Sequence, residues 1–155
     1  MLPERVIEVM QGPAIMHVAT RDESFRPFQV SAIGAVVHPD RETVTFFVPE
    51  SRSERILNDL KNNGRVALVF GIVTHEAYQV KGHYLSSRPV EAKEQALQEI
   101  YRAKTLSSFI QAGYPEQVIR PYILGMAYRP SVAITFRAEE VFLQTPGPEA
   151  GKRIA

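Results

Sequence analysis

The densest grouping of chemistry-bearing side chains is Thr43-Val-Thr-Phe-Phe-Val-Pro-Glu-Ser-Arg-Ser-Glu-Arg55. An apolar run enters a segment that holds Ser51, Arg52, Ser53 and Arg55. Hydroxyls and guanidiniums this close together suit a phosphate. The serines can donate hydrogen bonds, and the arginines can add charge-assisted, bidentate ones. If the segment opens a helix, free main-chain N–H groups and the positive end of the helix dipole add to the site. The same residues also spell an S-x-x-E capping box from Ser51 to Glu54, with the arginines paired at the surface to Glu50, Glu54 and Asp59. Both readings stand at this level.

Other chemistry is thinner. His17, His38, His75 and His83 form no H-x-x-x-H or H-E-x-x-H pair, so no metal site is expected. His75-Glu76 reads as a polar turn. His17 falls within a strand and His83 follows Gly82 beside Tyr84; each is either an ordinary packed or solvent-facing residue or a pocket residue. The absence of cysteine removes disulfides, thiol nucleophiles, thiolate metal sites and iron–sulfur ligation together. It fits a reducing compartment, and the expectation is a cytoplasmic protein. No G-x-S-x-G elbow, G-x-G-x-x-G turn or Walker A loop is present. Redox chemistry, if there is any, must be carried by a borrowed group. The 18 Lys+Arg nearly cancel the 17 Asp+Glu, which argues against a nucleic-acid or anionic-membrane binder built on a basic field. The alternation Tyr78, Val80, Gly82 therefore reads as core or dimer face, not as a base-stacking platform. No apolar run reaches the ~18–20 residues of a membrane span, and the first residues lack a secretory leader's pattern.

The 155 residues predict one domain, taken as 1–145 with a loose tail at 146–155. Pro3 to Met10 predicts a short helix and Ala14 to Thr20 a strand. Asp22-Glu23-Ser24 predicts a turn, and Phe28 to Val37 a second strand with small residues on both faces, as a ligand or close packing would require. Thr43 to Val48 predicts a third strand, and Ser51 opens a helix that Asn62-Asn63-Gly64 ends. Arg65 to Val73 and Tyr78 to Leu85 are further strands. Glu91 to Ala112 is the longest helix, with Ala92, Ala96, Leu97, Ile100, Tyr101 and Phe109 as its expected core positions. Glu116 to Leu124 adds a helical turn or two, and Ala127 to Phe136 and Val141 to Gln144 complete the sheet. Antiparallel hairpins without a βαβ series predict a mainly β, α+β barrel with flanking helices.

Several segments together carry a resemblance. Met16-His-Val-Ala-Thr20, Arg26-Pro27, Phe46-Phe47-Val48 with Ser51-Arg52-Ser53, and Asn63-Gly-Arg-Val-Ala-Leu-Val-Phe70 resemble, in order and spacing, the pyridoxamine 5′-phosphate oxidase-like FMN-binding split barrels. The resemblance spans about residues 4 to 145. It implies a six-stranded antiparallel split β-barrel, homodimeric, with FMN at the subunit interface. By this likeness Ser51, Arg52, Ser53 and Arg55 would hold the FMN phosphate. The main chain of Gln29, Val30, Ser31 and Ala32, up to Ile33, would lie along the flavin ring, and Phe47 and Val48 would border the ribityl chain. Gln79 and Lys81 would contribute from the partner subunit. The implied activity is FMN-dependent oxidation or reduction of an unknown small molecule. The oxidases' C-terminal Trp, Arg and His around the substrate phosphate have no counterpart in a chain that lacks Trp and ends Pro146-Gly-Pro-Glu-Ala-Gly-Lys-Arg-Ile-Ala155. Two alternatives remain: a non-catalytic carrier or sensor of flavin, deazaflavin or haem, the last with His17 or His83 as axial ligand, and a structural dimer using the Leu97/Ile100/Tyr101 helix face.

Overall fold

Alternating apolar and polar positions place every second side chain of the strands inward. In β1 (Ile15–Arg21), Met16, Val18 and Thr20 are buried while Ile15, His17, Ala19 and Arg21 face out. The computed structural model describes residues 1–155. After α1 (Glu4–Met10) and β1 come β2 (Pro27–Ala32), β3 (Ala35–Val37) and β4 (Thr43–Pro49). A 3₁₀ turn at Glu50–Arg52 leads into α2 (Glu54–Asn63), followed by β5 (Arg65–Gly71) and β6 (Ala77–Pro89). Then α3 (Ala92–Gln111) and α4 (Glu116–Leu124) precede β7 (Ser131–Leu143). No helix is long and apolar enough to cross a membrane.

The sheet is antiparallel throughout, in the order β2-β1-β5-β6-β7-β4-β3. Its two end strands are consecutive in the chain and joined only by Ile33 and Gly34. Seven strands stand where the resemblance implied six. The predicted second strand, Phe28 to Val37, is broken in two. Gly34 has φ +90°, a conformation side-chain-bearing residues rarely adopt. At the break the Ile33 N–H donates to the Phe47 carbonyl (2.7 Å) and the Phe47 N–H to the Gly34 carbonyl (3.2 Å). One extended segment thus pairs with β1 through its first half and with β4 through its second. The inward side chains fill the space between: Met16, Leu68, Phe70, Val80, Phe46 and Phe136 are among those fully enclosed.

Two further expectations change at the C-terminal end. Ala127–Phe136 and Val141–Gln144 are not separate strands; β7 runs unbroken from Ser131, and residues 127–130 precede it. The irregularity lies within β7: Lys81 faces Glu140 and Gly82 faces Ala138, so Glu139 is an extra residue opposite that step. A Cβ on Gly82 would sit 1.9 Å from the Arg137 carbonyl oxygen, so only glycine fits. The tail, expected to be loose, doubles back along β7. Val141 N–H donates to Ala155 O (2.9 Å), Leu143 N–H to Lys152 O (2.9 Å) and Ile154 N–H to Val141 O (2.8 Å).

The helices also differ from expectation in their starts and faces. No capping box forms at Ser51. The 3₁₀ turn runs straight into α2, Ser53 takes helical angles (φ −87°, ψ −23°), and its hydroxyl donates back to the Glu50 carbonyl (2.9 Å). A box needs an extended N-cap residue, and that geometry occurs at α3, between Glu91 and Glu94. Of the six expected core positions of α3, Tyr101 and Phe109 are half-buried against the two apolar clusters and the other four are turned outward. Ala92 and Ala96 are exposed, and Leu97 and Ile100 keep 43% and 50% of their surface in solvent. Glu94, Gln98, Thr105 and Leu106 are buried instead. Each polar one has a local partner. Glu94 takes a forked pair from Arg88 (2.7 and 2.8 Å), Gln98 Nε2 donates to Ser131 Oγ (3.1 Å), and the Thr105 hydroxyl donates to Tyr101 O (2.8 Å). Periodicity misplaces this helix because Glu94 and Gln98 seat it through hydrogen bonds to Arg88 and Ser131, with the Gln98 Oε1 left buried and unpartnered. Leu106 packs with Ile119 and Ile123 of α4 in a small second core.

Two glycine replacements separate the two backbone constraints. Gly34→Ala finds ordinary contacts at 3.5 Å and pays only for its dihedral, about 1–2 kcal/mol. Gly82→Ala must displace backbone and costs at least about 3 kcal/mol. Urea unfolding of both variants checks the order; a Gly82→Ala protein as stable as wild type would refute the close approach.

Candidate functional site

The outward residues of β2, β1, β5 and β6 form one half-buried face that no helix fully covers. The register sets them in rows. Ser31, His17, Val69 and Gln79 lie side by side, and Gln29, Ala19, Ala67 and Lys81 form the next row. Four of the residues singled out in the sequence, Gln29, Ser31, Gln79 and Lys81, therefore share this face. They are spread across it: Ser31 and Gln79 are three strand spacings apart, about 14 Å. Between them stand His17, Val69, Ala19 and Ala67. A shallow, mostly apolar cleft of about 370 Å³ sits at one end, between His17 and Val69 below and Phe109 and Tyr114 above. A more polar one of about 390 Å³ sits at the other, around Arg65, Lys81 and Glu140. Lys81 leans over the Phe142 ring at 4.4 Å.

The hydroxyl- and arginine-rich segment lies at the edge of this face. Strand β2 is the end of the sheet and forms a ladder with β1 alone. Beside it, α2 is held to β1 by two side-chain bonds: the Thr20 hydroxyl donates to Asp59 Oδ2 (2.7 Å) and Asn63 Nδ2 to the Arg21 carbonyl (2.8 Å). Thr20 and Asp59 are both buried, so this pair fixes where the helix starts. Arg55 reaches back over the Phe28 ring of β2 (4.7 Å to the centroid) and lies 4.0 Å from Asp22. Ser51 and Arg52 are exposed, and Arg52 forms no ion pair. Ser53 is 4% exposed with its hydroxyl already given to Glu50. Of the four phosphate candidates, three are available to a ligand and Ser53 is not. One hydroxyl and two guanidiniums are a donor set that fits a phosphate monoester.

Val30, Ala32 and Val48 point into the core, so they can offer a ligand only main chain. Phe47 is buried on the other face of β4, against a groove of about 250 Å³ walled by Gly34, Tyr101, Leu97 and Ile100. His83 is exposed and packs over Gly64. A pocket that sequence reading missed opens where the end of β2 meets the α3–α4 hairpin; Ser31, Ile33, Tyr101, Tyr122 and Met126 line it. Its walls come from two stretches, residues 15–33 and 101–126, about 70 residues apart in the chain, and no local pattern signals such a juxtaposition.

His17 is partly buried, and desolvation holds its pKa below the usual histidine value of 6.5. Its Nδ1 makes a long contact with Ser31 Oγ (3.4 Å). The imidazole is thus neutral near pH 7. Below 6.5 the unfolded chain takes up this proton before the folded one does, so stability falls as pH drops through that window. Melting curves from pH 7.5 to 5 should show a smaller acid loss in His17→Gln than in wild type. Parallel curves would place the ring in free solvent.

No family model matches the sequence, and no curated protein does. Solved structures are similar in fold. The HupZ protein of group A Streptococcus is 16% identical, with a TM-score of 0.57 over 97% of this chain and 100% of that one. A candidate pyridoxamine 5′-phosphate oxidase of Lactobacillus delbrueckii is 15% identical, with a TM-score of 0.55 over 91% of this chain and 93% of that one. A protein described as an F420 reductase is 17% identical, with a TM-score of 0.57 over 90% of this chain and 98% of that one. By these likenesses the chain has the split-barrel fold of the pyridoxamine 5′-phosphate oxidase-like proteins.

Proposed function

We propose that this chain binds a flavin-type cofactor, FMN in the first instance, and works as an oxidoreductase on a small organic molecule. The observation that carries the reading is the juxtaposition of an edge strand laddered on one side only with Ser51, Arg52 and Arg55 at the head of α2. The hydroxyl and the two guanidiniums would hold a phosphate. The main chain of Gln29–Ile33 would lie along the ring, where backbone donors and acceptors orient a polar edge without a catalytic side chain. A bound flavin supplies hydride chemistry that a chain without thiols, metal clusters or nucleophile motifs does not. The protein's part is to bind, orient and exclude water. A homodimer belongs to this proposal. Gln79 stands too far from Ser31 to meet the same ring within one chain, and a second copy seated on this outer face would bring it there. A deazaflavin is the second reading, supported by the fold shared with an F420 reductase.

Titration of the purified protein with FMN and with F420, followed by visible absorbance, tests both. Saturable perturbation of the FMN bands at micromolar protein is expected. Arg52→Ala with Arg55→Ala should weaken binding by about 100-fold, since each charged hydrogen bond contributes roughly 1.5–3 kcal/mol and 1.4 kcal/mol is tenfold. Ser51→Ala should weaken it by several-fold. Ser53→Ala should leave it nearly unchanged, because that hydroxyl is spent on Glu50. Saturation by F420 alone would move the assignment to a deazaflavin, and no spectral change with either compound would end it.

A further inference from the structure

We infer that the pocket between the end of β2 and the α3–α4 hairpin binds a small, neutral, single-ring molecule, and that it is the substrate pocket of the proposed oxidoreductase. Its walls are Ile15, Met16, Ala32, Ile33, Ile123 and Met126. Its volume is about 140 Å³. An apolar cavity of about 150 Å³ takes a benzene ring, so the size is that of one six-membered ring with little to spare.

The polar groups on the walls set the charge. The Tyr101 hydroxyl is given to the Ala14 carbonyl (2.6 Å), and the Thr105 hydroxyl to the Tyr101 carbonyl (2.8 Å). Arg102 is the only charged side chain on the walls, and its charge is already set beside Glu99. It donates to the Leu124 carbonyl (2.8 Å), lies 3.7 Å from Glu99 and stacks on Tyr128 (4.2 Å to the centroid). Two hydroxyls remain: that of Ser31, with only its 3.4 Å contact to His17, and that of Tyr122, with no partner. A carboxylate or ammonium would lose hydration here and find no free counter-charge, whereas a neutral ring with one or two polar substituents loses little. Ser31, Ala32 and Ile33 also end the strand proposed to run along the cofactor ring. The substrate role rests on that reading; the ring-binding itself does not.

The four methionines make the test. Met16 and Met126 line this pocket, Met10 lines the separate groove beside Phe47, and Met1 is exposed. Protein labelled with ¹³C-methyl methionine is titrated with phenol and then with benzoate. Saturable shifts of the Met16 and Met126 methyls by phenol, with Met1 and Met10 still and benzoate at least tenfold weaker, are expected. Met126→Trp should fill the mouth and remove the Met16 response while FMN still perturbs its absorbance. Equal movement of Met10, or an equal response to benzoate, overturns the inference. FMN binding without any phenol response at Met16 and Met126 overturns it while leaving the cofactor reading intact. A phenol response in a protein that binds neither FMN nor F420 keeps the ring site and overturns the substrate role. In FMN-loaded protein, phenol should shift the flavin band with the same midpoint as the methyl shifts; a still band overturns the placement beside the cofactor.

Discussion

The structure depends on one backbone constraint, the positive φ of Gly34. A continuous strand can ladder with two neighbours on opposite edges along its whole length. This segment instead pairs with β1 before the glycine and with β4 after it. The break ties the ends of a seven-strand order to each other, which closes the core around Phe46, Phe70 and Phe136. It also leaves β2 without a ladder on its second edge. Closure and an open edge usually exclude each other, since a barrel abolishes edges. A split at one residue allows both, and the open edge falls beside the head of α2.

The filled interior then decides where a ligand can go. Inward side chains of β1, β5, β6, β7 and β4 are enclosed almost completely, and the aromatic rings of Phe46 and Phe136 meet at 5.8 Å. Cores at this density have no void to offer. The clefts and grooves accordingly lie outside: on the outer face of the sheet, at the β2 edge, and under the α3–α4 hairpin. A chain of this size leaves open surfaces where its own elements run out.

The strands and the ends of most helices were legible because local rules govern them. Alternation gave β1, β4 and β5 nearly to the residue, and Gly64 at φ +69° ended α2 as its left-handed cap. What was not legible turns on partners distant in sequence. Ser51 and Glu54 have the letters of a capping box, but the 3₁₀ turn out of β4 gives Ser53 helical angles and spends its hydroxyl on Glu50. β7 carries its extra residue, Glu139, opposite the Lys81–Gly82 step of β6, and the tail returns along the part of β7 that β4 does not pair. Within the candidate site, residue types marked the arginines, while the availability of each hydroxyl required the structure.

The seating of α3 connects these points. A helix held through Leu97 and Ile100 would press those side chains onto the sheet and leave no space beneath it. This helix is held through Glu94 and Gln98, whose hydrogen bonds to Arg88 and Ser131 have fixed lengths and so keep the helix at a set distance. Tyr101 reaches across that distance to the Ala14 carbonyl and props it open at the end of β2. Leu106, Ile119 and Ile123 close the far side without filling the gap. The polar underside that defeats a periodicity argument is therefore what spaces the helix from the strand, and the spacing is what makes a ring-sized pocket next to the open edge.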